Sequence, residues 1–227
     1  MTYGIFGTDK REVPLNKEFF YPVILTKYDG EIYLSVSPKY YDVVLNSIKN
    51  IDFTLLGNNE IISIFKNIFS NILGDFEVKE MYRMYKDTNL DISDSNAVVL
   101  NDDTKQYFMN TGNKANDISF KEKKWNQLKY ILDSEMIYIV PNDNKIASMA
   151  FISDIYSKGA NIVVSTNEEH RRKGYGKMAV ASLTNSILEK ELLPIYFVNV
   201  NNEPSINLAK SLGYENMALE IVVCMKI

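Results

Sequence analysis

The stretch EEHRRKGYGKMAVASLTNSIL, from Glu168 to Leu188, determines how the rest of the chain is interpreted. Basic residues precede a Gly-x-Gly turn at Gly174 and Gly176, and the apolar residues after that turn recur at helical spacing. The pattern predicts a strand before the turn and a long helix after it. The apolar side of this helix should contain Met178, Val180, Leu183, Ile187 and Leu188.

A Gly-x-Gly turn between a strand and a helix lets the backbone approach a ligand and point several N–H groups in one direction. The helix N-terminus favours an anion there by about 0.3–1 kcal/mol. A pyrophosphate would suit both features, and four side chains could add positive charge: Arg171, Arg172, Lys173 and Lys177. On spacing alone, a structural turn with a solvated basic rim explains the pattern equally well. The third glycine of a dinucleotide fingerprint and the pattern of a P-loop are both absent.

Composition narrows the function classes. The chain has 227 residues, which suggests one domain with a large appendage or two small domains. Its net charge is −4 and the remaining basic residues are scattered, so nucleic acid is not expected as a main partner. One cysteine and one histidine argue against a metal centre. Without a signal-like or membrane-spanning apolar run, we expect a cytoplasmic protein that does not bind a membrane.

Two regions follow from the order of the patterns. We expect an N-terminal α/β subdomain over residues 1–90, with two strands around Asp29-Gly30, then two helices and a strand. The polar stretch TNLDISDSN suggests a boundary, and residues 91–227 read as β-α-α-β-β-β-α-β-α-β, a mixed sheet flanked by helices. In this second region we expect Asp102 or Asp103 to cap the first helix, and Phe120 of the next helix to face the core.

Two motifs in this order resemble a known family. Arg171-Arg172-Lys173-Gly174-Tyr175-Gly176 resembles the acyl-CoA-binding motif Gln/Arg-x-x-Gly-x-Gly/Ala of the GNAT N-acyltransferase superfamily, and VNVNNEPSINLAKSLGYE resembles its later strand-Asn-helix-Leu-Gly-Phe/Tyr segment. The resemblance covers about residues 95 to 227 and implies the mixed α/β acyl-CoA N-acyltransferase fold. Residues 1 to about 90 match no family that we can name.

The resemblance also implies where acetyl-CoA would bind. Its pyrophosphate would lie on residues Arg171, Arg172, Lys173, Gly174, Tyr175, Gly176 and Lys177. The strand NIVVST would diverge from PIYFVNV, and the pantetheine amides would pair near Val164 and Thr166, or near Val163 or Ser165 if the register is shifted by one residue. Asn202 and Ser205 would lie beside the cofactor, although both also read as helix-capping residues.

Amine attack needs a base, and the thiolate that leaves needs a proton. The nearest carboxylates in sequence are Glu168 and Glu169, which could equally be a solvated loop pair, while His170 is expected to be exposed and incidental. Many family members donate the proton from a Tyr, but here that position is Ala209. Other candidates for the acid are Tyr214, Ser205 and Cys224, of which Tyr214 and Cys224 also read as core residues. Solvent is a further candidate source of the proton.

The expected activity is therefore transfer of an acetyl group from acetyl-CoA to a primary amine, without a metal. A non-catalytic acyl-CoA-binding or regulatory module is the alternative, and a purely structural Gly-x-Gly turn is a third reading. The net charge of −4 weakly favours cationic acceptors such as aminoglycosides, polyamines or lysine side chains, but this field does not define a pocket. Amino acids, peptides and antibiotics stay open as acceptors. The N-terminal region would shape the acceptor cleft or contribute to an oligomer contact, so a homodimer is a further expectation.

Overall fold

The structure is a computed structural model that describes residues 3–13, 19–112 and 118–226. The chain forms two compact units, each of which is described by itself. Unit 1 consists of Met1–Met84, Phe197–Ile206 and Asn216–Ile227, and unit 2 consists of Tyr85–Tyr196 and Asn207–Glu215. The prediction of separate roles for residues 1–90 and 91–227 stays a prediction, since the last strand of the chain belongs almost entirely to unit 1.

Unit 1 is a mixed sheet with two helices. Its elements are β1 (Gly4–Gly7), β2 (Phe19–Tyr28), β3 (Glu31–Val36), α1 (Tyr41–Ile48), α2 (Asn58–Phe69) and nearly all of β4 (Phe76–Tyr85) and β10 (Glu215–Lys226). Strand β2 pairs antiparallel with both β3 and β10, and β1 pairs parallel with β3. The turn between β2 and β3 has positive φ at Asp29 and Gly30, which is the backbone of a type I′ hairpin, as predicted.

Apolar side chains of α2 make the core of unit 1. Ile61, Phe65 and Phe69 are fully buried at the helical spacing expected from the sequence, and they pack with strand residues of the same unit. The carboxylate of Glu220 is also buried, and Arg83 donates to both of its oxygens from 2.7 and 3.1 Å. Because these bonds neutralise the carboxylate, the buried charge is tolerated.

Unit 2 contains the basic turn. Its elements are β5 (Val98–Val99), α3 (Lys105–Asn110), α4 (Ile118–Leu132), β6 (Ile137–Asn142), β7 (Lys145–Tyr156), β8 (Gly159–Thr166) and α5 (Tyr175–Glu189). Strands β5 to β8 are joined by antiparallel pairing. Strand β9 (Leu193–Asn199) and helix α6 (Glu203–Ser211) have residues in both units. The predicted element order from residue 91 onward is therefore confirmed.

Local corrections have simple physical reasons. Asn101 caps a short 3-10 helix, Asp102–Thr104, through its Oδ1, which accepts the N–H of Thr104. Thr104 is then the N-cap of α3, so neither Asp102 nor Asp103 holds that position. Phe120 is 40% exposed because it lies beside a cavity of unit 2 instead of facing the core. Helix α5 is buried on more than one side, and the small residues Ala179, Ala181 and Ser182 make that possible.

Two further findings concern the described ranges only. No helix within residues 3–13, 19–112 and 118–226 combines the length and the apolarity needed to cross a membrane. In the same ranges, His, Cys, Asp and Glu side chains do not gather in groups of three or more that could hold a metal ion.

Candidate functional site

Strand β8 lies between β7 and β9 and leads into the basic turn. Within unit 2, parallel pairing of β8 with β9 runs from Gly159–Leu193 to Ile162–Tyr196, and antiparallel pairing of β8 with β7 continues to Thr166. The N–H of Asn167 donates to the carbonyl of Ala147 on β7 at 2.9 Å. Because successive residues of a strand turn their polar groups to opposite edges, Val164 and Thr166 turn theirs away from β7. In the described part of unit 2, no strand pairs with that edge beyond Ile162.

The basic turn follows directly after β8. A short 3-10 helix, Glu168–His170, leads into it, and α5 begins at Tyr175 with Gly174 as its N-cap. Gly174 has φ +82°, a conformation that glycine adopts at no steric cost. A Cβ at Gly174 would meet nothing within 4 Å, so the space in front of the first turn of α5 is open.

Close packing at Gly176 brings the start of α5 against β8. A Cβ at Gly176 would lie 3.0 Å from Leu208 Cδ1 and 3.1 Å from Thr166 Oγ1. Thr166 Oγ1 is also 2.8 Å from the hydroxyl of Ser148 on β7. The N-terminus of α5 and the end of β8 are therefore neighbours, and a side chain at Gly176 would separate them.

The predicted basic side chains surround the turn and are exposed. They are Arg171, Arg172, Lys173 and Lys177. Arg171 lies 3.6 Å from Glu168, with 61% and 87% of these side chains exposed, so their ion pair is solvated and contributes little to stability. Tyr175 differs from this group, because its hydroxyl donates to Asn142 Oδ1 at 3.2 Å and its ring packs 5.9 Å from that of His170.

The expectation that His170 is exposed is wrong. Only 9% of the residue is exposed, and its Nδ1 has no hydrogen-bond partner in the described structure. The ring lies under the turn, with Nε2 3.5 Å from the carboxylate of Glu169. Glu168 and Glu169 are both highly exposed, with Glu169 at 73%. The ring of His170 packs beside that of Tyr175, and the sequence pattern did not predict this burial.

The candidates for the acid are placed differently. Tyr214 is 3% exposed and its hydroxyl is 2.6 Å from Thr184 Oγ1, which in turn donates to the Val180 carbonyl. Burial raises the pKa of Tyr214 well above its usual range. Ala209 is completely buried and has no proton to give. Tyr214 therefore packs and bonds inside unit 2, where a thiolate would have no access.

The predicted site residues that belong to unit 1 are Asn202, Ser205 and Cys224. Asn202 accepts the backbone N–H of Ser205 through Oδ1 at 3.3 Å, so Asn202 is a helix cap of α6, one of the two roles expected for it. Cys224 is buried on β10, and burial raises the pKa of its thiol. A buried thiol of this kind is a poor proton donor to a solvated site.

Sequence reasoning missed a cavity on the other face of β8. Its volume is about 360 Å³, and its walls include the exposed or half-buried Phe108, Phe120 and Met149 together with the ammonium-bearing Lys121 and Lys124. Ser165, which lies between Val164 and Thr166, is part of the same wall. No local motif predicts this cavity, because α3, α4 and two strands contribute to it.

Comparison with known proteins agrees with this architecture. The family model described as GNAT acetyltransferase matches residues 45–218. A GNAT-family acetyltransferase from Colwellia psychrerythraea aligns with a TM-score of 0.52 at 10% identity, over 86% of this chain and 76% of its own. A GCN5-related N-acetyltransferase-like protein from Streptococcus suis aligns with a TM-score of 0.51 at 17% identity, over 91% of this chain and 84% of its own.

A GCN5-related N-acetyltransferase from Sphaerobacter thermophilus has a TM-score of 0.52 at 9% identity, over 92% of this chain and 81% of its own. No curated protein matches the sequence. At such low identities the solved structures support the fold alone, and the family model carries the assignment. Since that model matches well over half of the chain, including both motifs, the protein belongs to the GNAT acetyltransferase family and is an acyltransferase.

Proposed function

We propose that the protein transfers an acetyl group from acetyl-CoA to a primary amine. The observation that carries the proposal is the open N-terminus of α5 at Gly174, which packs through Gly176 against Thr166 at the end of β8. In the reaction the amine nitrogen forms a bond to the thioester carbonyl carbon and the C–S bond breaks. The nitrogen loses one proton, and the CoA thiolate takes one up.

On the donor side, backbone groups would do most of the binding. The N–H groups of Val164 and Thr166 would pair with the amides of the pantetheine arm, since a buried N–H without a partner costs about 1–3 kcal/mol. The pyrophosphate would occupy the open space at Gly174, where the helix N-terminus favours negative charge. Positive charge around the pyrophosphate would come from the exposed side chains of Arg171, Arg172, Lys173 and Lys177. Tyr175, held by the hydrogen bond from its hydroxyl to Asn142, would form one wall of the site.

Proton transfer would use solvent-exposed carboxylates and water. Glu168 or Glu169 would take the amine proton through water, since both carboxylates are exposed on the short helix after β8. Solvent would protonate the thiolate, because Ala209 cannot and Tyr214 is bonded in the interior. Asn202 and Ser205 keep the capping bond that they make within unit 1.

Isothermal titration calorimetry tests the proposal first. We expect acetyl-CoA and desulfo-CoA to bind in the micromolar range and ATP to bind more weakly or not at all. At about 100 times the dissociation constant, the ligand should raise the free energy of unfolding by ~2.7 kcal/mol, which a melting curve detects. Free CoA should then appear only when an amine is added. Binding without amine-dependent release would contradict the proposed transfer, and no binding would contradict the proposed site.

A further inference from the structure

The cavity beside β8 has an unusual charge balance. Its lining contains the two lysines Lys121 and Lys124 and no carboxylate among the described residues. The rest of the lining is aromatic, aliphatic or neutral polar, with Phe108, Phe120 and Met149 as its large apolar members. The cavity therefore differs in sign from the chain as a whole, whose net charge is −4.

Lys121 is the decisive residue of this lining. Only 6% of it is exposed, and its Nζ donates to the Met109 carbonyl. In the described ranges no carboxylate lies within ion-pair distance of that Nζ; the nearby Glu122 is bonded to Lys105 at 2.7 Å instead. Among the described residues one carbonyl is the partner of this Nζ, and a carbonyl satisfies only one of the three donors of an ammonium. Lys121 therefore gives the cavity a cationic group that can bind an anionic one.

Lys124 and the aromatic rings complete the recognition surface. The Nζ of Lys124 lies 5.1 Å from the centre of the Phe120 ring, so a cation and an aromatic face stand together at the wall. The volume of about 360 Å³ suits a small molecule. A ligand that matches these walls carries one negative group and an apolar body.

Position links this cavity to the transfer chemistry. Ser165 pairs with Met149 across β7 and β8, and both line the cavity. The flanking residues Val164 and Thr166 turn their N–H groups to the edge of β8 that faces away from β7. A molecule in the cavity therefore reaches the same level of β8 at which the thioester would lie.

We infer that the acceptor is a small amine that also carries a carboxylate and an apolar side group, an amino acid of phenylalanine or leucine type, with Lys121 as the counter-charge of its carboxylate. This inference rests on the proposed function for the acceptor role. It replaces the expectation of a cationic acceptor, because a polyamine or an aminoglycoside would bring more positive charge to two lysines.

The single tryptophan of the chain makes a direct binding test available. Trp125 lies 5.4 Å, between ring centres, from Phe108, which lines the cavity. Its fluorescence should therefore report occupancy without any CoA ligand. We would titrate the protein with phenylalanine, phenylalaninamide, phenethylamine and spermidine, because the first three differ mainly in the carboxylate.

We expect phenylalanine to bind at least tenfold more tightly than its amide or phenethylamine, and spermidine to bind weakest. Lys121→Met keeps the apolar stem and should remove that tenfold preference, while the affinity for phenethylamine changes less than threefold. Equal affinities of the first three ligands in the wild-type protein, no binding of phenylalanine, or spermidine binding best would each overturn the inference, and none of them requires a variant to fold. A Lys121→Met protein that loses all ligands alike would show a structural role for the lysine and would also overturn it.

Transfer assays separate this inference from the proposed function. Loss of acetyl-CoA binding or of amine-dependent CoA release refutes the proposed function, yet leaves the fluorescence preference measurable. A protein that acetylates phenethylamine or spermidine faster than phenylalanine would keep the proposed function and overturn the acceptor class.

Discussion

A matched pair of substitutions at Gly174 tests the phosphate site directly. Gly174→Asn and Gly174→Asp place side chains of nearly equal size in a space where a Cβ would meet nothing within 4 Å. Both residues tolerate the left-handed region better than other non-glycine residues, so the strain of φ +82° is similar in the two variants. That strain of about 1–2 kcal/mol should lower the melting temperature by roughly 2–8 °C in both. The only large difference between the variants is one negative charge.

The magnitude of the charge effect follows from distance and screening. At about 4 Å from a phosphate charge, the added carboxylate costs roughly 1 kcal/mol if water screens it fully and about 4 kcal/mol near a protein surface. The dissociation constant of desulfo-CoA should therefore be about fivefold to several hundredfold weaker for Asp than for Asn. Without ligand, the Asp variant should be as stable as the Asn variant or more so, because a carboxylate is favourable at a helix N-terminus.

Titration calorimetry at low and high salt measures this difference. The ratio between the two variants should shrink at about 1 M salt, where the screening length is only ~3 Å. Equal dissociation constants for Asp and Asn at low salt, in two folded proteins, would show that the pyrophosphate does not lie at Gly174.

Other predictions concern the proton path and the scaffold. Tyr214→Phe should cost about 0.5–1.5 kcal/mol of stability through the lost bond to Thr184 and leave kcat within about twofold; a loss of more than tenfold would restore Tyr214 as the acid. The folded-state pKa of Tyr214 is raised above its ordinary 10.0, so the stability that it contributes is present below pH ~10 and falls as the pH rises further, by up to ~1.4 kcal/mol per pH unit. Urea unfolding at pH 9 and 11 should show a smaller gap between wild type and Tyr214→Phe at pH 11, and an unchanged gap would contradict the burial of this hydroxyl. Glu168→Gln and Glu169→Gln should differ in their pH–rate profiles, because one carboxylate suffices as the base; wild-type rates and profiles in both variants would exclude the pair. Asn202→Ala should lower stability by about 1 kcal/mol through loss of the cap on Ser205, whereas Asn202→Asp should retain most of it, as melting curves would show.

Patterns that depend on neighbours in sequence predicted the fold well. The I′ turn at Asp29-Gly30 needs two residues that accept positive φ, and the helix after Gly174 needs only its own spacing of apolar residues. The cap of α3 was predicted at Asp102 or Asp103, one or two residues too early, because a 3-10 helix capped by Asn101 precedes α3 and only the backbone distinguishes the two helix starts. The divergence of β8 from β9 near Val164 and Thr166 was expected from the family resemblance and stays a prediction.

Features that depend on distant contacts were missed or wrong. The burial of His170 arises where the turn meets its ring neighbour Tyr175 and the body of unit 2, and composition carries no trace of it. The cavity draws its walls from α3, α4, β7 and β8, so no window of the sequence contains it. A helical pattern placed Phe120 toward the core, but an aromatic ring at the wall of a cavity has the same spacing as one in a core.

Charge shows most clearly why the acceptor could not be deduced from composition. A net charge of −4 describes the field at distances beyond the protein, where salt screens it within about 8–10 Å. Inside the cavity the nearest charges decide, and there Lys121 is buried with a carbonyl as its partner while Lys124 stands over Phe120. At 4 Å the interaction energy of one unscreened pair of charges is larger than the summed energy of distant, screened charges. We therefore infer that two lysines on one helix set the acceptor class, and reversing the charge at Lys121 should affect acceptor choice more than any change in the net charge of the surface.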